Sequence, residues 1–292
     1  MNYPKISIVT PSFNHGDYLE ATILSVLGQN YPDLEYIIID GGSTDHSVDI
    51  IRKYEKHLAF WISEKDNGMY DAINKGFQKS TGEIMAWINS DDMFHANAFV
   101  NVAKIFESFP EVKWIQGNPT TFDRSGQIVL AKPLRRWSKY NFYTGDYKWV
   151  QQESTFWKRS LWEKAGSRIS TQLRYAGDFE LWLRFFRHEK LYVTNLLMGG
   201  FRIGSGNQLS IGKVDNYLEE LNTCLNEESL DAGTLERIGQ IKRYRKLLNI
   251  TSRINLGSLK LKYHRLFDYP PQVVFNTSSQ KFELISAEGY TY

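Results

Sequence analysis

The sequence predicts an α/β protein in which a mainly parallel sheet is flanked by helices. Three observations support this fold class. Short runs of β-branched and aromatic residues alternate with segments of helical periodicity over the first third of the chain. The second run, residues 35–39, is continuous in apolar character from Tyr36 onward, as expected of a parallel strand covered on both faces. Glycine, proline and aspartate cluster in the turns between the runs.

The predicted elements follow a strand–helix rhythm that loosens after Trp114. Strands are predicted at residues 6–10, 35–39, 60–62, 84–88, 114–117 and 127–130, from their content of Ile, Val, Tyr and Trp. Helices are predicted at residues 19–27, 48–54, 70–77, 96–109 and 179–187, where apolar residues recur at helical spacing. Residues 137–162 are rich in Trp and Tyr but have no clear period.

Composition limits the class of protein. The 292 residues are 42% hydrophobic and 23% charged, which is sufficient for a packed core. A net charge of +2 argues against a globally basic nucleic-acid binder, and we expect no nucleic-acid partner. The single Cys224 excludes an internal disulfide framework and fits a reducing cytoplasm. Residues 1–8 lack the pattern of a signal peptide, and we expect no transmembrane helix.

Asp91 and Asp92 directly follow the strand predicted at residues 84–88. In an open α/β sheet, ligands bind at the carboxyl ends of the strands. Carboxylate oxygens suit Mg²⁺ or Mn²⁺, which commonly bridge protein carboxylates to substrate phosphates. The pattern therefore indicates a metal-held diphosphate. The alternative is that both residues cap the helix predicted at residues 96–109.

The chain ends with a basic region. Residues 237–266 contain nine Lys or Arg and no Asp or Glu, and Ile238, Ile241, Tyr244 and Leu248 lie near helical spacing. This is typical of a basic amphipathic helix that contacts anionic lipid. A solvated helix packed on the core explains the same pattern.

Six segments, in this order, resemble the family 2 glycosyltransferases, which are inverting enzymes with the GT-A fold. They are residues 7–14 (SIVTPSFN), 40–45 (DGGSTD), 66–68 (DNG), 72–76 (AINKG), 90–92 (SDD) and 177–184 (GDFELWLR). Each segment alone is a weak signal, and six in order are a strong one. The resemblance covers roughly residues 5–212 and is of the bacterial polysaccharide type.

The resemblance assigns a nucleotide-binding group. It implies that Thr10, Pro11 and Asn14 hold the nucleoside and that Asp40 reads uracil, since a carboxylate accepts from the imide N–H. It also implies nucleotide contacts for Asp66 and Gly68. Turn formation is the alternative for Asp40, and helix capping is the alternative for Asp66.

The resemblance also assigns the metal ligand and the base. It implies that Asp92 binds Mn²⁺ or Mg²⁺ directly and that Asp91 contacts the ribose or lies just behind the ion. Asp178 matches the base that deprotonates the acceptor hydroxyl. Glu180 is the rival base, and capping of the following helix is the alternative for Asp178.

Two further sites follow from the resemblance. Trp149 and Tyr147 lie where relatives bind the acceptor, and aromatic faces stack well on sugar rings. Arg202 lies in a segment that resembles the closing loop of relatives and is expected to steady the diphosphate. Relatives often have His two residues later, where this chain has Gly204, which puts a third protein ligand for the metal in doubt.

The expected function is transfer of a sugar from a uridine diphosphate donor to a carbohydrate or lipid-linked acceptor, in cell-surface polysaccharide synthesis. The expected location is the cytoplasm, at the inner face of the membrane. The predicted division is a nucleotide-sugar half (1–115), an acceptor and base half (116–212) and a basic helical extension (213–292). A sugar nucleotidyltransferase and a non-catalytic carbohydrate-binding subunit are the alternatives.

Overall fold

The computed structural model describes residues 3–146, 149–205, 213–250 and 257–286. In chain order, the elements of the first part are β1 Ile6–Ser12, α1 Gly16–Leu27, β2 Leu34–Asp40, α2 Ser47–Tyr54, β3 Phe60–Ser63, α3 Met69–Lys79, β4 Ile84–Trp87, β5 Met93–Phe94 and α4 Ala98–Ser108. The strand–helix alternation predicted for this part is confirmed, with element ends that differ by one to three residues.

The later elements are β6 Trp114–Gln116, β7 Thr120–Phe122, β8 Ile128–Ala131, α5 Lys139–Tyr143, β9 Thr155–Lys158, α6 Arg159–Lys164, α7 Gly177–Phe186, β10 Tyr192–Thr194, β11 Gly199–Arg202, α8 Val214–Asn226, α9 Ala232–Ile250, α10 Gly257–Arg265, β12 Gln272–Asn276 and β13 Lys281–Ile285. The later strands are short, and two of the later helices, α8 and α9, are longer than any in the first part. The strands β5, β7, β9, β10 and β11 were not expected from the sequence; each has two to four residues and lies where the strand–helix rhythm has loosened or directly after the Asp91–Asp92 pair.

The described residues form a nine-stranded sheet in the order β13-β12-β10-β6-β9-β4-β1-β2-β3. β1 pairs in parallel with both β2 and β4, and β2 pairs in parallel with β3. β9 runs antiparallel between β4 and β6. The sheet is therefore mixed, and its parallel part brings the carboxyl ends of β1, β2 and β4 to one edge.

The described residues also form a second sheet of four strands, in the order β5-β11-β7-β8. All four strands follow β4 in the chain. β5 begins at Met93, directly after Asp92, and β11 ends at Arg202. β11 pairs with β5 and with β7. This small sheet brings residue 202 to the pair Asp91–Asp92.

The core is dominated by large aromatic side chains. Trp87 of β4 stacks on Trp182 of α7 with ring centroids 6.0 Å apart, and Trp157 of β9 packs against both. All three are buried. This aromatic cluster fixes α7, which carries Asp178, against the centre of the main sheet.

The C-terminal part is helical over α8, α9 and α10, as predicted, and then adds a hairpin. β12 pairs in parallel with β10, so residues 272–276 join the main sheet. Ile238 and Ile241 of α9 are buried against Tyr140 and Phe267. The inner face of the basic helix is thus a packing face. Among the described residues, the structure contains no helix with the length and apolar character needed to span a membrane.

Candidate active site

The candidate site lies at the shared edge of β1, β2 and β4. Ser12 at the end of β1 is paired in register with Asp40 at the end of β2. The chain leaves β4 and reaches Asp91 and Asp92 four and five residues later. The parallel register therefore brings the predicted nucleoside and metal segments to one edge of the sheet.

Asp91 and Asp92 do not cap α4. The N-cap of α4 is Asn97, in a left-handed conformation with φ of 64°, and β5 lies between it and the aspartates. The capping alternative is therefore wrong for both residues. Neither carboxyl group is used to cap a helix.

The Asp92 carboxylate is fully buried and already accepts two hydrogen bonds. Oδ1 accepts from the backbone N–H of Arg202 at 2.7 Å, and Oδ2 accepts from Asn89 Nδ2 at 3.1 Å. Asp91 Oδ2 accepts from Ser205 Oγ at 2.6 Å. Residues 202–205 therefore lie directly against the aspartate pair.

Glu153 is a member of the site that was missed at the level of sequence. It lies in the 3₁₀ turn Gln152–Ser154 before β9 and is buried. Its charge contributes to the raised pKa of Asp92, so the two carboxyl groups are neighbours. Burial raises the pKa of Glu153 to about 7, with further contributions from the charges of Asp178 and Asp91. Burial and the carboxyl groups of Asp91 and Glu153 raise the pKa of Asp92 well above its usual range. A carboxylate directly before a buried strand is the local signal that could have identified Glu153.

Asp178 lies in the first turn of α7 and is not its cap. Ala176 is the N-cap residue, and no side chain caps this helix end. Asp178 as a whole residue is half-buried, but its Oδ1 is buried and has no hydrogen-bond partner in the part of the chain that the structure describes. Burial, and secondarily the charge of Glu220, raise the pKa of Asp178 from 3.8 to about 6. An oxygen of this kind can accept a proton or a hydrogen bond from a ligand.

Glu180, the rival base, is already engaged by Arg184. Arg184 donates from Nε to Oε1 at 2.7 Å and from Nη2 to Oε2 at 2.8 Å. Such a bidentate ion pair holds the carboxylate ionised and in place. Glu180 as base or acceptor contact stays a prediction, and Asp178 is the better candidate base because both Glu180 oxygens are engaged within α7.

Arg202 contacts the aspartate pair, but its side chain binds backbone carbonyl groups. Nε donates to the carbonyl oxygen of Asp91 at 2.6 Å, and Nη1 donates to those of Asp123 and Arg124 at 3.2 and 2.9 Å. The residue is 2% exposed. The guanidinium thus holds the chain around Asp91 and the β7–β8 turn, and its expected contact with a diphosphate stays a prediction.

Trp149 is exposed at 48% and stands edge-on against Tyr217 of α8, with ring centroids 5.0 Å apart. The charge of Asp178 contributes to a raised pKa of Tyr217, which places this tyrosine close to the predicted base. An accessible aromatic side chain therefore lies on the Asp178 side of the site. Tyr147, the other predicted platform, and residues 206–210 of the predicted closing loop lie outside the described residues.

The predicted nucleoside segment is ordered by contacts between two loops. Thr10 and Pro11 are buried in β1, and Thr10 Oγ1 lies 3.1 Å from Tyr36 Oη. Asn14 adopts a positive φ of 52° and accepts from the backbone N–H of Thr44 at 2.8 Å. The loop after β1 is thereby tied to the loop after β2.

Asp40 is fully buried, and its carboxylate is occupied by its own turn. Oδ2 accepts from the backbone N–H groups of Gly42 and Ser43 and from Ser63 Oγ, at 3.1, 2.9 and 2.7 Å. Oδ1 accepts from Ser43 Oγ at 2.6 Å. These are the contacts of the turn-forming alternative.

Asp66 is the more accessible carboxylate beside this turn. Its Oδ1 accepts from the backbone N–H of Gly68 at 2.8 Å. Its Oδ2 lies over Gly41, 2.7 Å from the position that a Cβ at residue 41 would take. The N-cap of α3 is Gly68, with φ of 107°, so Asp66 does not cap that helix. Burial raises the pKa of Asp66.

The donor set fits a hard divalent cation. Asp91, Asp92 and Glu153 are buried carboxyl groups, and the charges of Asp91 and Glu153 help to raise the pKa of Asp92, an effect that a nearby cation would relieve. Asn89 Oδ1 and Gln152 Oε1 are buried acceptor oxygens without a partner among the described residues. Within the same part of the chain, no three acidic, His or Cys side chains are grouped to hold a metal. The remaining ligands would have to come from a nucleotide and water.

Comparison with known proteins identifies the family of this chain. The family model described as "Glycosyl transferase family 2" matches residues 7–162, more than half of the chain. An uncharacterised glycosyltransferase of Rickettsia typhi is 24% identical over 245 residues, which cover 80% of this chain and 73% of that protein. The putative teichuronic acid biosynthesis glycosyltransferase TuaG of Bacillus subtilis is 40% identical over 94 residues, covering 30% and 36% of the two chains.

Solved structures share the fold. TarS of S. aureus, residues 1–349 in complex with UDP-GlcNAc, superposes with a TM-score of 0.64 at 15% identity, covering 80% of this chain and 70% of that one. The mannosyltransferase PcManGT of Pyrobaculum calidifontis, in complex with GDP-Man and Mn²⁺, gives a TM-score of 0.52 at 15% identity, covering 90% and 88%. The predicted GT-A fold is confirmed.

Proposed function

Because this chain belongs to glycosyl transferase family 2, we propose that it transfers a sugar, with inversion, from a uridine diphosphate donor to a hydroxyl group of a carbohydrate or lipid-linked saccharide. The observation that carries the proposal is the convergence of Asp92, Glu153 and Asp178, which come from three distant parts of the sequence. Family membership favours this activity over a nucleotidyltransferase or a non-catalytic subunit.

In the proposed reaction, Asp178 acts as the base. Its free Oδ1 accepts the proton of the acceptor hydroxyl as that oxygen forms a bond to the anomeric carbon. The bond from the anomeric carbon to the diphosphate breaks, and its electron pair leaves with the diphosphate. Because base and leaving group lie on opposite faces of the sugar, the configuration inverts.

Asp92 is the proposed protein ligand of Mn²⁺ or Mg²⁺, and Asp91 is proposed to contact the ribose or to support Asp92. When bound, such an ion neutralises the leaving diphosphate. Glu153 is proposed to hold a proton with Asp92 until a cation is present, which limits the repulsion between the buried carboxyl groups.

The activity test is a screen of nucleotide sugars, with product masses measured by mass spectrometry in the presence of Mn²⁺. Transfer or hydrolysis of a uridine diphosphate sugar is expected, with loss of at least a hundredfold in Asp178→Asn. Asp49→Asn is the matched control, because Asp49 is an exposed carboxylate on α2. Pyrophosphate release from a nucleoside triphosphate would identify a nucleotidyltransferase instead.

For the nucleoside we propose Thr10, Pro11, Asn14, Asp40, Asp66 and Gly68 as the binding group, with Asp66 as the base reader. Asp40 is fully buried and already accepts four hydrogen bonds, whereas Asp66 is only partly buried, and this difference supports Asp66. Uracil would donate its imide N–H to this oxygen, which cytosine cannot do.

Calorimetry with UDP, CDP and GDP separates the two aspartates. Wild-type protein should prefer UDP, and Asp66→Asn should lower that preference over CDP at least tenfold, since an amide can donate to cytosine. Asp40→Asn should weaken the turn and leave the preference unchanged. A reversal of these two results would make Asp40 the reader.

We propose that the acceptor is a saccharide of a cell-surface polysaccharide, held against the accessible face of Trp149. The description of TuaG as a teichuronic acid biosynthesis enzyme supports this class of acceptor. Replacement of Trp149 by Ala should raise the acceptor KM and leave nucleotide affinity unchanged.

We further propose that the outward face of α9 docks on the inner face of an anionic membrane. Lys242, Arg243 and Lys246 are exposed on this helix. Ile250 and Leu235 are exposed at 71% and 55%. Basic groups beside accessible apolar side chains favour anionic lipid, at about 1 kcal/mol per basic residue.

Liposome flotation tests this surface. Changing Lys242, Arg243 and Lys246 to Glu should abolish flotation with phosphatidylserine vesicles. The control changes three exposed basic residues of the α2 region, Arg52, Lys53 and Lys56, to Glu, and should float like wild type. Equal flotation of both variants would exclude the surface. Deletion of the whole C-terminal part is unsuitable, because it removes β12 from the main sheet.

A further inference from the structure

The backbone that leads into α7 is held by a side chain from α8. The N–H groups of Arg174, Tyr175 and Ala176 all donate to the carboxylate of Glu220, at 2.9, 2.8 and 2.8 Å. Asp178 follows two residues after the last of these. Backbone N–H groups at a helix start lack partners within the helix, and Ala176 has no side chain that could cap it. Glu220 supplies the missing acceptor from a different helix.

The same backbone is held on its other side by Tyr70 of α3. Its hydroxyl donates to the carbonyl oxygen of Tyr175 at 2.9 Å and accepts from the N–H of Gly177 at 3.0 Å. A Cβ on Gly177 would lie 2.6 Å from Cε2 of the Tyr70 ring. The tyrosine ring therefore occupies the space that a side chain at position 177 would need.

We propose that Glu220 is a positioning residue for Asp178, which it orients by fixing the three preceding backbone N–H groups. The inference rests on the proposed role of Asp178 as base. It makes α8, which follows the family-matched region, part of the catalytic apparatus. A carboxylate that accepts three N–H bonds fixes its partners more firmly than a neutral side chain would.

The surroundings of Asp178 give this role a second consequence. The titratable groups facing it are Glu153, Tyr70, Tyr217 and Glu220. Glu220 brings a negative charge that raises the pKa of Asp178, so it affects both the orientation and the basicity of that carboxylate. Substitution of a residue that only supports the fold would change neither the orientation nor the pKa of Asp178.

The test compares Glu220→Gln with Glu219→Gln, its exposed neighbour on α8. The amide keeps the shape of the side chain but leaves one acceptor oxygen for three donors. We expect kcat to fall at least tenfold in Glu220→Gln, because small displacements of a catalytic group cost up to about a hundredfold. The donor KM should stay within about twofold of wild type, because Glu220 contacts no predicted nucleotide residue. The acidic limb of the pH–rate profile should move to lower pH.

Hydrogen exchange gives a readout that does not depend on activity. Amides of residues 174–176 should exchange faster in Glu220→Gln, and those of Glu219→Gln should match wild type. Unchanged kcat and pH profile in a folded Glu220→Gln protein would overturn the inference. Tyr70→Phe removes the hydroxyl that holds the same backbone from its other side, and it should lower kcat in the same way. If Glu220→Gln does not fold, an unchanged kcat in Tyr70→Phe would overturn the positioning of Asp178 by this backbone. Failure of the proposed function would differ, since wild-type protein would then transfer no sugar.

Discussion

Replacement of Asp178 by Asn should stabilise the fold while it abolishes transfer. Burial outweighs the backbone N–H groups of Asp178 and Phe179 that stabilise the charged carboxylate, and its Oδ1 has no partner in the described part of the chain. Ionising this group in the folded protein is therefore unfavourable, and a neutral amide of the same shape avoids that cost.

The magnitude follows from the pKa of Asp178, which burial raises from 3.8 to about 6. A difference of roughly two pKa units corresponds to about 3 kcal/mol at pH 8. Because Asp178 is half-buried and the new amide has donors to satisfy, this is an upper bound. In a chain of this size the melting temperature should rise by several degrees, and by at most roughly 10 °C.

The sign of the pH dependence follows from linkage. A folded-state pKa above the unfolded value means that the native protein binds the proton more tightly than the unfolded chain. The tighter proton binding at Asp178 therefore adds to the wild-type free energy of unfolding at low pH. That contribution is lost as pH rises from about 4 to about 6, and the effect of Asp178 on the free energy of unfolding stays level above that. The advantage of Asp178→Asn should be largest at pH 8 and below about 1 kcal/mol at pH 4.

Urea unfolding at pH 4, 6 and 8, in EDTA and without nucleotide, measures this directly. The control is Asp49→Asn, because the Asp49 side chain is 79% exposed. The control should differ from wild type by less than about 0.5 kcal/mol at each pH. A variant at Asp178 that is no more stable than wild type at pH 8, or equally stabilised at pH 4, would refute the reasoning.

Three other predictions concern the same site. In wild type, kcat/KM should rise with pH to half its maximum near 6, because the base must be ionised; a flat profile between pH 5 and 8 contradicts this. Asp92→Asn should weaken UDP binding at least tenfold with Mn²⁺ and leave binding in EDTA unchanged, by calorimetry. Gly177→Ala should lose about 1–3 kcal/mol of stability in urea because its Cβ meets the ring of Tyr70, whereas Gly239→Ala, with open space around it, should gain up to about 1 kcal/mol.

The sequence predicted the first part of the fold well because local pattern and burial agree there. β1, β2 and β4 are apolar runs buried on both faces, which is the pattern of parallel strands. β9 was missed, since four residues give no measurable period and its neighbours in the sheet are antiparallel. The C-terminal hairpin was also uncertain, because its place beside β10 depends on a pairing across about 80 residues.

Site residues were predictable where a motif carries them and not where tertiary contacts create them. Asp91, Asp92 and Asp178 follow from motifs. Glu153 meets Asp92 across 61 positions of the chain, and Glu220 reaches the start of α7 from 44 residues away. The position of Glu153 before a buried strand marks it as a candidate, but no local pattern shows that it meets Asp92 or that Glu220 meets the start of α7. The side-chain partners of Glu180 and Arg202 were unpredictable for the same reason, because they are defined only in the folded chain.

The burial of several carboxyl groups together is itself an argument for function. Asp92, Glu153 and Asp178 are each shifted towards the neutral form, chiefly because burial removes the water that would solvate their charge. A sequence selected only for stability would place amides or apolar side chains here, as the expected gain in Asp178→Asn illustrates. These carboxyl groups become useful when ligands bind, because a cation would stabilise the charge of Asp92 and the acceptor would give its hydroxyl proton to Asp178. The cost to stability and the proposed chemistry therefore have one origin, the exclusion of water at the carboxyl edge of β4.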